Sequence, residues 1–381
     1  MSKNAYIGID DVARKIRKGY IGVDGIARKI RRAYIGIGGV ARPCWSDGKL
    51  EYYGTVEGLS EERADLAATT LGNYALFGGG SSATAVVDAY NKSLTRSMQA
   101  ELSIGRLNLA ATTIGRYALF AGGAYRNGDV ISTLDVVDAY NESLTRSTPT
   151  ALSSVRSGLT ATTVGDYALF GGGNTYYTYI DAYDKSLTKS NKAELNQANS
   201  SIVATTVGDY ALFGGGSTGS SSMDGSVSAV VYAFNKSLTK TLPTALSQAR
   251  NKLAATAVGE YALFGGGVRA LASSNMSSVV DAYDKSLTRT VPTTLSIARG
   301  NLAATAVAGY ALFGGGLGGG SPYEAATVDA YDANLTRTIA TSLAAARGYL
   351  SATAIGYFAL FAGGSKSSGS PKYSTVDVYT V

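Results

Sequence analysis

The stretch Tyr310-Ala-Leu-Phe-Gly-Gly-Gly316 is one of seven versions of the same heptapeptide in this chain. The copies start at Tyr74, Tyr117, Tyr167, Tyr210, Tyr261, Tyr310 and Phe358, at intervals of 43, 50, 43, 51, 49 and 48 residues. A period of this size, with one strand-like core and one glycine stop per cycle, is typical of a repeat architecture. The repeated residues therefore predict the scaffold, and function is to be sought where the repeats differ.

One cycle contains four short segments with the composition of β-strands, separated by turns. In the sixth cycle they are Leu302–Val307, Tyr310–Phe313, Thr327–Tyr331 and Leu335–Ile339. Four such strands form an antiparallel meander that cannot cover both of its own faces, so neighbouring sheets must stack on it. We predict an all-β fold in which residues 47–381 form a seven-bladed β-propeller of four-stranded antiparallel blades.

The two ends of the propeller sequence are complementary. The chain stops after Val376–Val381, which matches a third strand without a fourth, whereas Lys49–Gly54 aligns with Lys92–Ser97 and so matches a fourth strand. We predict that this N-terminal strand completes the last blade, which removes an open sheet edge and closes the ring.

An arginine before the first strand and an aspartate in the third strand recur in six cycles. The pairs are Arg63 with Asp88, Arg106 with Asp138, Arg156 with Asp181, Arg250 with Asp281, Arg299 with Asp329, and Arg347 with Asp377. The fourth cycle has Asn199 and Tyr232 instead, so both partners are missing from the same blade. Because a lone buried charge is costly, we interpret these residues as ion pairs within blades. The alternative is a ring of arginines that binds anions at the channel mouth.

Residues 1–46 form a separate basic segment with ten Lys/Arg and three Asp, a net charge of +7, whereas the remainder has a net charge of −1. Three 14-residue repeats begin at Ala5, Gly19 and Ala33, and each has a turn between β-branched runs. This pattern predicts small hairpins, with a short helix over Val12–Lys18 as the alternative. So small a unit is expected to order on a partner or in a homo-oligomer. The candidate attachment residues are Arg14, Lys15, Arg17, Lys18, Arg28, Lys29, Arg31 and Arg32.

Several classes of chemistry are missing from the sequence. The chain has no histidine and one cysteine, which excludes Ser-His-Asp and Cys-His nucleophiles and histidine-ligated metals. No unique pair of carboxylates and no phosphate-binding Gly-Lys-Ser/Thr loop stands out. We predict no catalytic residue, metal or cofactor. We also predict no membrane span and no signal peptide, hence synthesis in a reducing cytoplasm.

The segments between the second and third strands differ most from cycle to cycle. Meander connectivity places them on one face of the propeller, where binding residues commonly lie on a rigid scaffold. Tyrosines among Ser, Gly and Asn are typical of adaptable binding loops, although unselected drift of the loops is the alternative. The candidate ligand-binding residues are Tyr125, Arg126, Tyr176, Tyr177, Tyr179, Arg269, Tyr323 and Tyr373.

Two resemblances add to this interpretation. The arginine ending Leu-Ser-Ile-Ala-Arg299, the glycines after the second strand and Val-Asp-Ala-Tyr331 before a turn make residues 49–381 similar to kelch repeats, although the kelch tryptophan of the fourth strand is absent. Residues 4–46 resemble Tyr-Ile-Gly-Val-Asp-Gly-Ile-Ala-Arg-Lys repeats at the start of tail and other virion proteins of phages and prophages of Gram-positive bacteria.

The resemblances imply a non-enzymatic virion protein, made in the bacterial cytoplasm. It would dock to other virion proteins through residues 1–46 and present its loops to host-surface glycan or protein. The alternatives are a purely architectural neck or capsid decoration protein and a carbohydrate-active enzyme. Nucleic acid is a disfavoured partner, because the only aromatic residues recurring in the basic repeats, Tyr6, Tyr20 and Tyr34, are explained by strand packing.

Overall fold

In the computed structural model of this chain, the described residues are 6–9, 12–15, 19–23, 26–30, 32–37 and 40–46, then 48–381 apart from 128–129, 174–177, 219–225, 270–274 and 321–322. All helical or strand structure within these ranges is β-strand. No helix in the described part of the chain is long and apolar enough to cross a membrane.

Each of the three N-terminal repeats forms a two-stranded antiparallel hairpin. The hairpins are β1 (Tyr6–Ile9) with β2 (Val12–Lys15), β3 (Gly19–Val23) with β4 (Ile26–Ile30), and β5 (Arg32–Ile37) with β6 (Val40–Ser46). Equivalent positions pair in each repeat, as Ile7 with Arg14 and Ile21 with Arg28. The alternative helix over Val12–Lys18 is wrong for Val12–Lys15, which is a strand, and residues 16–18 lie outside the described residues.

Seven four-stranded antiparallel sheets follow in the described part of residues 48–381, as predicted. The first strand of this part of the chain is β7 (Glu51–Val56). Blade 1 consists of β8 (Ala67–Leu71), β9 (Tyr74–Gly78), β10 (Val87–Asn91) and β11 (Arg96–Met98), and blade 3 of β18 (Leu159–Val164), β19 (Tyr167–Gly172), β20 (Tyr179–Asp184) and β21 (Lys189–Glu194). Blade 2 consists of β12 (Ala110–Ile114), β13 (Tyr117–Ala121), β16 (Val137–Asn141) and β17 (Arg146–Ser147), with an added hairpin of β14 (Ala124–Asn127) and β15 (Val130–Thr133).

The remaining four blades repeat this plan. Blade 4 consists of β22 (Val203–Val207), β23 (Tyr210–Gly214), β24 (Val231–Asn235) and β25 (Lys240–Thr241), and blade 5 of β26 (Ala254–Val258), β27 (Tyr261–Gly265), β28 (Val280–Asp284) and β29 (Arg289–Thr290). Blade 6 consists of β31 (Ala303–Val307), β32 (Tyr310–Gly314), β34 (Val328–Asp332) and β35 (Arg337–Ala340), with the short pair β30 (Arg299–Gly300) and β33 (Leu317–Gly318). Blade 7 consists of β36 (Ser351–Ile355), β37 (Phe358–Ala362), β38 (Val376–Thr380) and the N-terminal β7.

The fourth strand of the sixth blade starts later than predicted. Leu335 belongs to the preceding turn, where its φ is 62°. The Asp332 carboxylate fixes this turn by accepting hydrogen bonds from the backbone N–H groups of Asn334 at 2.9 Å and Thr336 at 2.8 Å. This local side-chain bonding competes with strand pairing, so β35 begins only at Arg337.

The N-terminal strand β7 completes the seventh blade, which confirms the predicted closure of the ring. It pairs with β38, with Thr55 opposite Asp377 and Val56 opposite Val376. The Tyr52 hydroxyl donates to Asp377 Oδ1 at 2.7 Å, which adds a side-chain bond across the closing pair. The strand runs from Glu51 to Val56, two residues later than predicted.

The antiparallel path sorts the connections onto two faces. In blade 1, the turns 72–73 and 92–95 share one face, which we call the turn face with its equivalents in the other blades. Residues 79–86, between β9 and β10, and residues 99–109, which lead to blade 2, share the opposite face, the loop face. On the loop face the Gly80 N–H donates to Arg106 O at 2.9 Å.

The repeated heptapeptide lies where adjacent blades approach each other most closely. A Cβ on Gly78 would lie 2.7 Å from the Phe120 ring of the next blade, so the glycine leaves room for that ring. Gly79 has a φ of +68°, and a Cβ there would lie 2.5 Å from Arg106 O. The phenylalanine of each copy is fully buried between blades, and Phe77 packs edge-on against Tyr90 at 5.9 Å. The role of the motif is therefore to pack adjacent blades against each other.

Candidate functional site

The six predicted Arg–Asp pairs are present as salt bridges, and both side chains of every pair are fully buried. The closest N–O distances are 2.7 Å for Arg63–Asp88, 2.8 Å for Arg106–Asp138, 2.6 Å for Arg250–Asp281, 2.8 Å for Arg299–Asp329 and 2.7 Å for Arg347–Asp377, and Arg156 pairs with Asp181 in the same way. Each arginine charge is thus neutralised beneath the surface, which argues against the alternative of an arginine ring that binds anions.

Blade 5 shows how each pair is embedded. Arg250 donates to the carbonyl oxygens of Phe264 at 3.0 Å and Val279 at 2.8 Å, in addition to its bond to Asp281. The other carboxylate oxygen of Asp281 accepts from the Ser247 N–H at 2.9 Å. Burial lowers the pKa of Arg250, and the Asp281 charge opposes that shift. The pair therefore ties the connection between blades to the second and third strands.

Blade 4 fills the same space without charge. Asn199 is fully buried and donates through Nδ2 to Gly215 O at 3.3 Å, the equivalent of the Arg347 Nε bond to Gly363 O. The Tyr232 hydroxyl reaches towards the backbone N–H groups of Asn196 and Gln197, the place that Asp281 takes in blade 5, but makes no hydrogen bond of ordinary geometry to a described residue. In blade 4 the shorter Asn199 thus stands where the other blades have a long arginine, and the longer Tyr232 stands where they have a short aspartate.

One residue from each blade forms a ring around the channel on the loop face, which we call the mouth ring. Its members are Asp65, Asn108, Gly158, Ser201, Lys252, Asn301 and Tyr349. Backbone hydrogen bonds link neighbours in the ring, such as Asn108 N–H to Asp65 O at 3.0 Å and Gly158 N–H to Asn108 O at 2.8 Å. All seven have a left-handed backbone, with φ between 51° and 65°.

Six members of the mouth ring, all except Tyr349, line a well of about 260 Å³. Leu66, Leu109 and Leu253, which directly follow three ring members, also border it, but their side chains are buried in the cores between blades. Burial raises the pKa of Asp65 to about 6, and the charge of Lys372 opposes this rise. The well thus has a rim of chemically different polar groups, and polar groups that converge on one cavity are a feature of small-ligand sites.

The predicted loop residues that the structure describes lie on the loop face of several blades. Tyr125 and Arg126 lie in β14 and are exposed, as are Arg269 in blade 5 and Tyr323 in blade 6. Tyr179 begins β20 and is 40% exposed. Tyr176 and Tyr177 lie outside the described residues.

Tyr373 differs from the other predicted loop residues because it is only partly accessible. The guanidinium carbon of Arg347 lies 6.0 Å from the centre of the Tyr373 ring, and the Tyr373 backbone N–H donates to Gly364 O at 2.9 Å. Tyr373 therefore packs against a buried arginine in addition to lying on the loop face.

The β14–β15 hairpin of blade 2 is a second distinctive element of the loop face. It presents Val130 and Ile131 with 65% and 64% of their surfaces exposed, together with Tyr125.

In the described residues, no cluster of three or more His, Cys, Asp or Glu side chains could hold a metal ion.

The predicted attachment residues fall in the hairpins. Arg14 and Lys15 lie in β2, Arg28 and Lys29 in β4, and Arg32 in β5. Arg17, Lys18 and Arg31 lie outside the described residues.

Sequence reasoning missed the mouth ring. The signal was present, because the position two residues after the repeated arginine or Asn199 is occupied by Asp, Asn, Gly, Ser, Lys, Asn and Tyr in successive blades. Neither the left-handed backbone nor the convergence of these positions on one well is readable from a repeat alignment alone.

Comparison with known proteins supports the fold and no more. No protein-family model matches the sequence, and no curated protein matches it. A solved structure described as "Structure of YjhT" is similar with a TM-score of 0.56 and 12% sequence identity, covering 86% of this chain and 97% of that chain. At that identity the likeness shows a shared β-propeller fold alone.

Proposed function

We propose that this protein is a non-enzymatic virion protein of a phage or prophage, attached through residues 1–46 and presenting the loop face of a kelch-like propeller to a host-surface glycan or protein. One observation carries the proposal: the chain enters the ring on the face opposite to the variable loops. Gly48 O accepts a hydrogen bond from the Tyr310 hydroxyl at 3.1 Å, and Tyr310 begins its strand at the turn face.

The distribution of blade-specific residues supports the same orientation. On the turn face the 3–4 turns are near-copies, in which Asn91, Asn141 and Asp184 each accept hydrogen bonds from the backbone two and four residues later. On the loop face the blades differ in length, charge and exposed aromatics. A protein attached at the turn face would leave free for a partner the face on which the described parts of the blades differ most.

The two halves of this proposal require separate tests. For attachment, Arg14, Lys15, Arg28 and Lys29 are changed to Gln in the full chain and incorporation into particles is measured. We expect incorporation to fall at least tenfold. The matched control changes Lys92, Lys185, Lys236 and Lys285 on the turn face to Gln, with the same loss of charge, and is expected to assemble normally. Equal incorporation of both variants would contradict attachment through the hairpins.

For host recognition, labelled full-length protein is added to host cells. Tyr125→Ala with Arg126→Ala on the loop face is expected to reduce binding at least tenfold, whereas Arg116→Ala, on the turn face of the same blade, is expected to leave it unchanged. Absence of binding by the unmodified protein would favour the architectural role. Release of reducing sugar from host wall material would overturn the non-enzymatic assignment.

A further inference from the structure

The mouth ring keeps side chains where the backbone favours glycine. A φ between 51° and 65° is uncommon for residues other than glycine, asparagine and aspartate, and Gly158 shows that glycine is accommodated in this ring. Lys252 nevertheless adopts a φ of 52° with an exposed side chain that makes no ion pair with a described residue. Packing does not account for Lys252.

The left-handed leucines of the turn face show the contrast. Leu94, with a φ of 62°, buries its side chain in the core between blades 7 and 1, so packing compensates for its backbone. Lys252 gains no such burial, because its side chain is exposed at the rim of the well. A strained position that retains a polar side chain without packing is a mark of a functional site.

The charges of the rim select the class of ligand. Asp65 contributes a carboxyl group and Lys252 an ammonium group to the same well, while the arginines below are neutralised by their aspartates. A strongly anionic ligand would meet Asp65, and a strongly cationic ligand would meet Lys252 and Lys372. The rim therefore disfavours strong charge of either sign.

The remaining groups suit hydroxyls. Asn108 and Asn301 offer both amide donors and carbonyl acceptors, and Ser201 can donate or accept. A well of about 260 Å³ has room for one six-membered ring with its substituents. Donors and acceptors that converge on one well are complementary to a compact polyhydroxylated molecule.

We propose that the mouth ring binds one uncharged sugar residue, held at its hydroxyls by the polar side chains of the rim. This inference deepens the proposed function and rests on it for the biological source of the sugar, a terminal unit of a host-surface glycan. The binding chemistry itself depends only on the side chains of the ring.

The geometry of the ring supplies a clean set of variants. Replacing Asn108, Lys252 and Asn301 by Gly removes three rim side chains and places at each position the residue that the backbone favours, as at Gly158. The variant should therefore remain folded, with an unchanged or higher melting temperature. The matched control is Ala308→Gly, which relieves a φ of 42° in a turn on the opposite face.

Binding of glucose, galactose and N-acetylglucosamine to the full-length chain is measured by ligand-observed NMR and calorimetry. We expect one of these sugars to bind and the triple glycine variant to bind it at least tenfold more weakly, with the Ala308→Gly control unchanged. Absence of binding for all three, equal affinity of the triple variant, or preference for a sugar phosphate over its uncharged parent would each overturn the inference.

Its failure is distinguishable from failure of the proposed function. If the unmodified protein binds host cells and loses that binding with Tyr125→Ala and Arg126→Ala, but binds no sugar, the loop face is the recognition surface and the mouth ring is not a sugar site. If sugar binds at the ring and host cells are not bound, the ligand chemistry stands and the biological role is wrong.

Discussion

Transplanting the charge-free arrangement of blade 4 into blade 5 tests why the Arg–Asp pair is absent as a unit. The exchange is Arg250→Asn together with Asp281→Tyr, which reproduces Asn199 and Tyr232. The Arg250–Asp281 bond of 2.6 Å joins two fully buried side chains. If the two arrangements are equivalent solutions for one space, the double variant should be tolerated where each single variant is not.

The structure sets the expected size of each effect. Arg250→Asn leaves the Asp281 carboxylate buried with the Ser247 N–H at 2.9 Å and Arg289 at 3.8 Å as its remaining partners, so we expect a loss of about 3–5 kcal/mol in the free energy of unfolding. Asp281→Tyr leaves the Arg250 charge unpaired and forces a ring into occupied space, with a loss at least as large. The double variant carries neither buried charge and should lie within about 2 kcal/mol of the unmodified protein.

Urea unfolding of the full-length chain, followed by circular dichroism and extrapolated to water, measures these differences. The reverse exchange in blade 4, Asn199→Arg with Tyr232→Asp, should show the same pattern, and the exposed substitution Arg116→Asn is the control. The reasoning is refuted if the double variant loses as much as the two single variants together. It is equally refuted if Arg250→Asn alone costs less than about 1 kcal/mol, since the buried Asp281 carboxylate would then have only the Ser247 N–H and the distant Arg289 as partners.

Two further predictions concern the mouth and the glycine motif. The folded-state pKa of Asp65 is about 6, above its ordinary 3.8, so the folded state binds the proton more tightly and its stability should fall as the pH rises from about 4 to 6, by at most about 3 kcal/mol; Asp65→Asn should flatten this part of the stability–pH curve, and an unchanged slope would contradict the assignment. Gly79→Ala should cost about 2–4 kcal/mol, because its Cβ would lie 2.5 Å from Arg106 O at a φ of +68°, whereas Gly72→Ala, at +55° with no atom within 4 Å, should cost about 1 kcal/mol; equal losses in thermal unfolding would show that contact with the next blade is unimportant.

The sequence was sufficient to predict the scaffold because the scaffold is repeated. Seven copies of one motif give the blade number, and the unmatched third strand at the end gives the closure by β7. The Arg–Asp pairs were also readable, since Asn199 and Tyr232 break the pattern in the same blade. Because both residues change in the same blade, comparison of the seven repeats identifies them as partners.

The mouth ring was not predicted because its members share a backbone conformation rather than a residue type. Asp65, Gly158 and Tyr349 have nothing in common chemically, and only the φ values and the hydrogen bonds between blades reveal that they are equivalent. The residue pattern likewise predicts Leu335 in a strand, whereas the Asp332 side chain holds it in a turn. Side-chain capping and left-handed positions are set by local geometry that hydrophobic pattern does not encode.

The N-terminal strand β7 joins residues 1–46, the proposed attachment segment, to the propeller that carries the loop face. Residues 1–46 lead into β7, which is held by backbone pairing to β38 and by the Tyr52 bond to Asp377. Asp377 is also the partner of Arg347, whose guanidinium lies beside Tyr373 on the loop face. One chain of contacts in the seventh blade thus connects β7 to the loop face. We therefore expect coupling between residues 1–46 and the loop face to run through this blade, because β7 belongs to it.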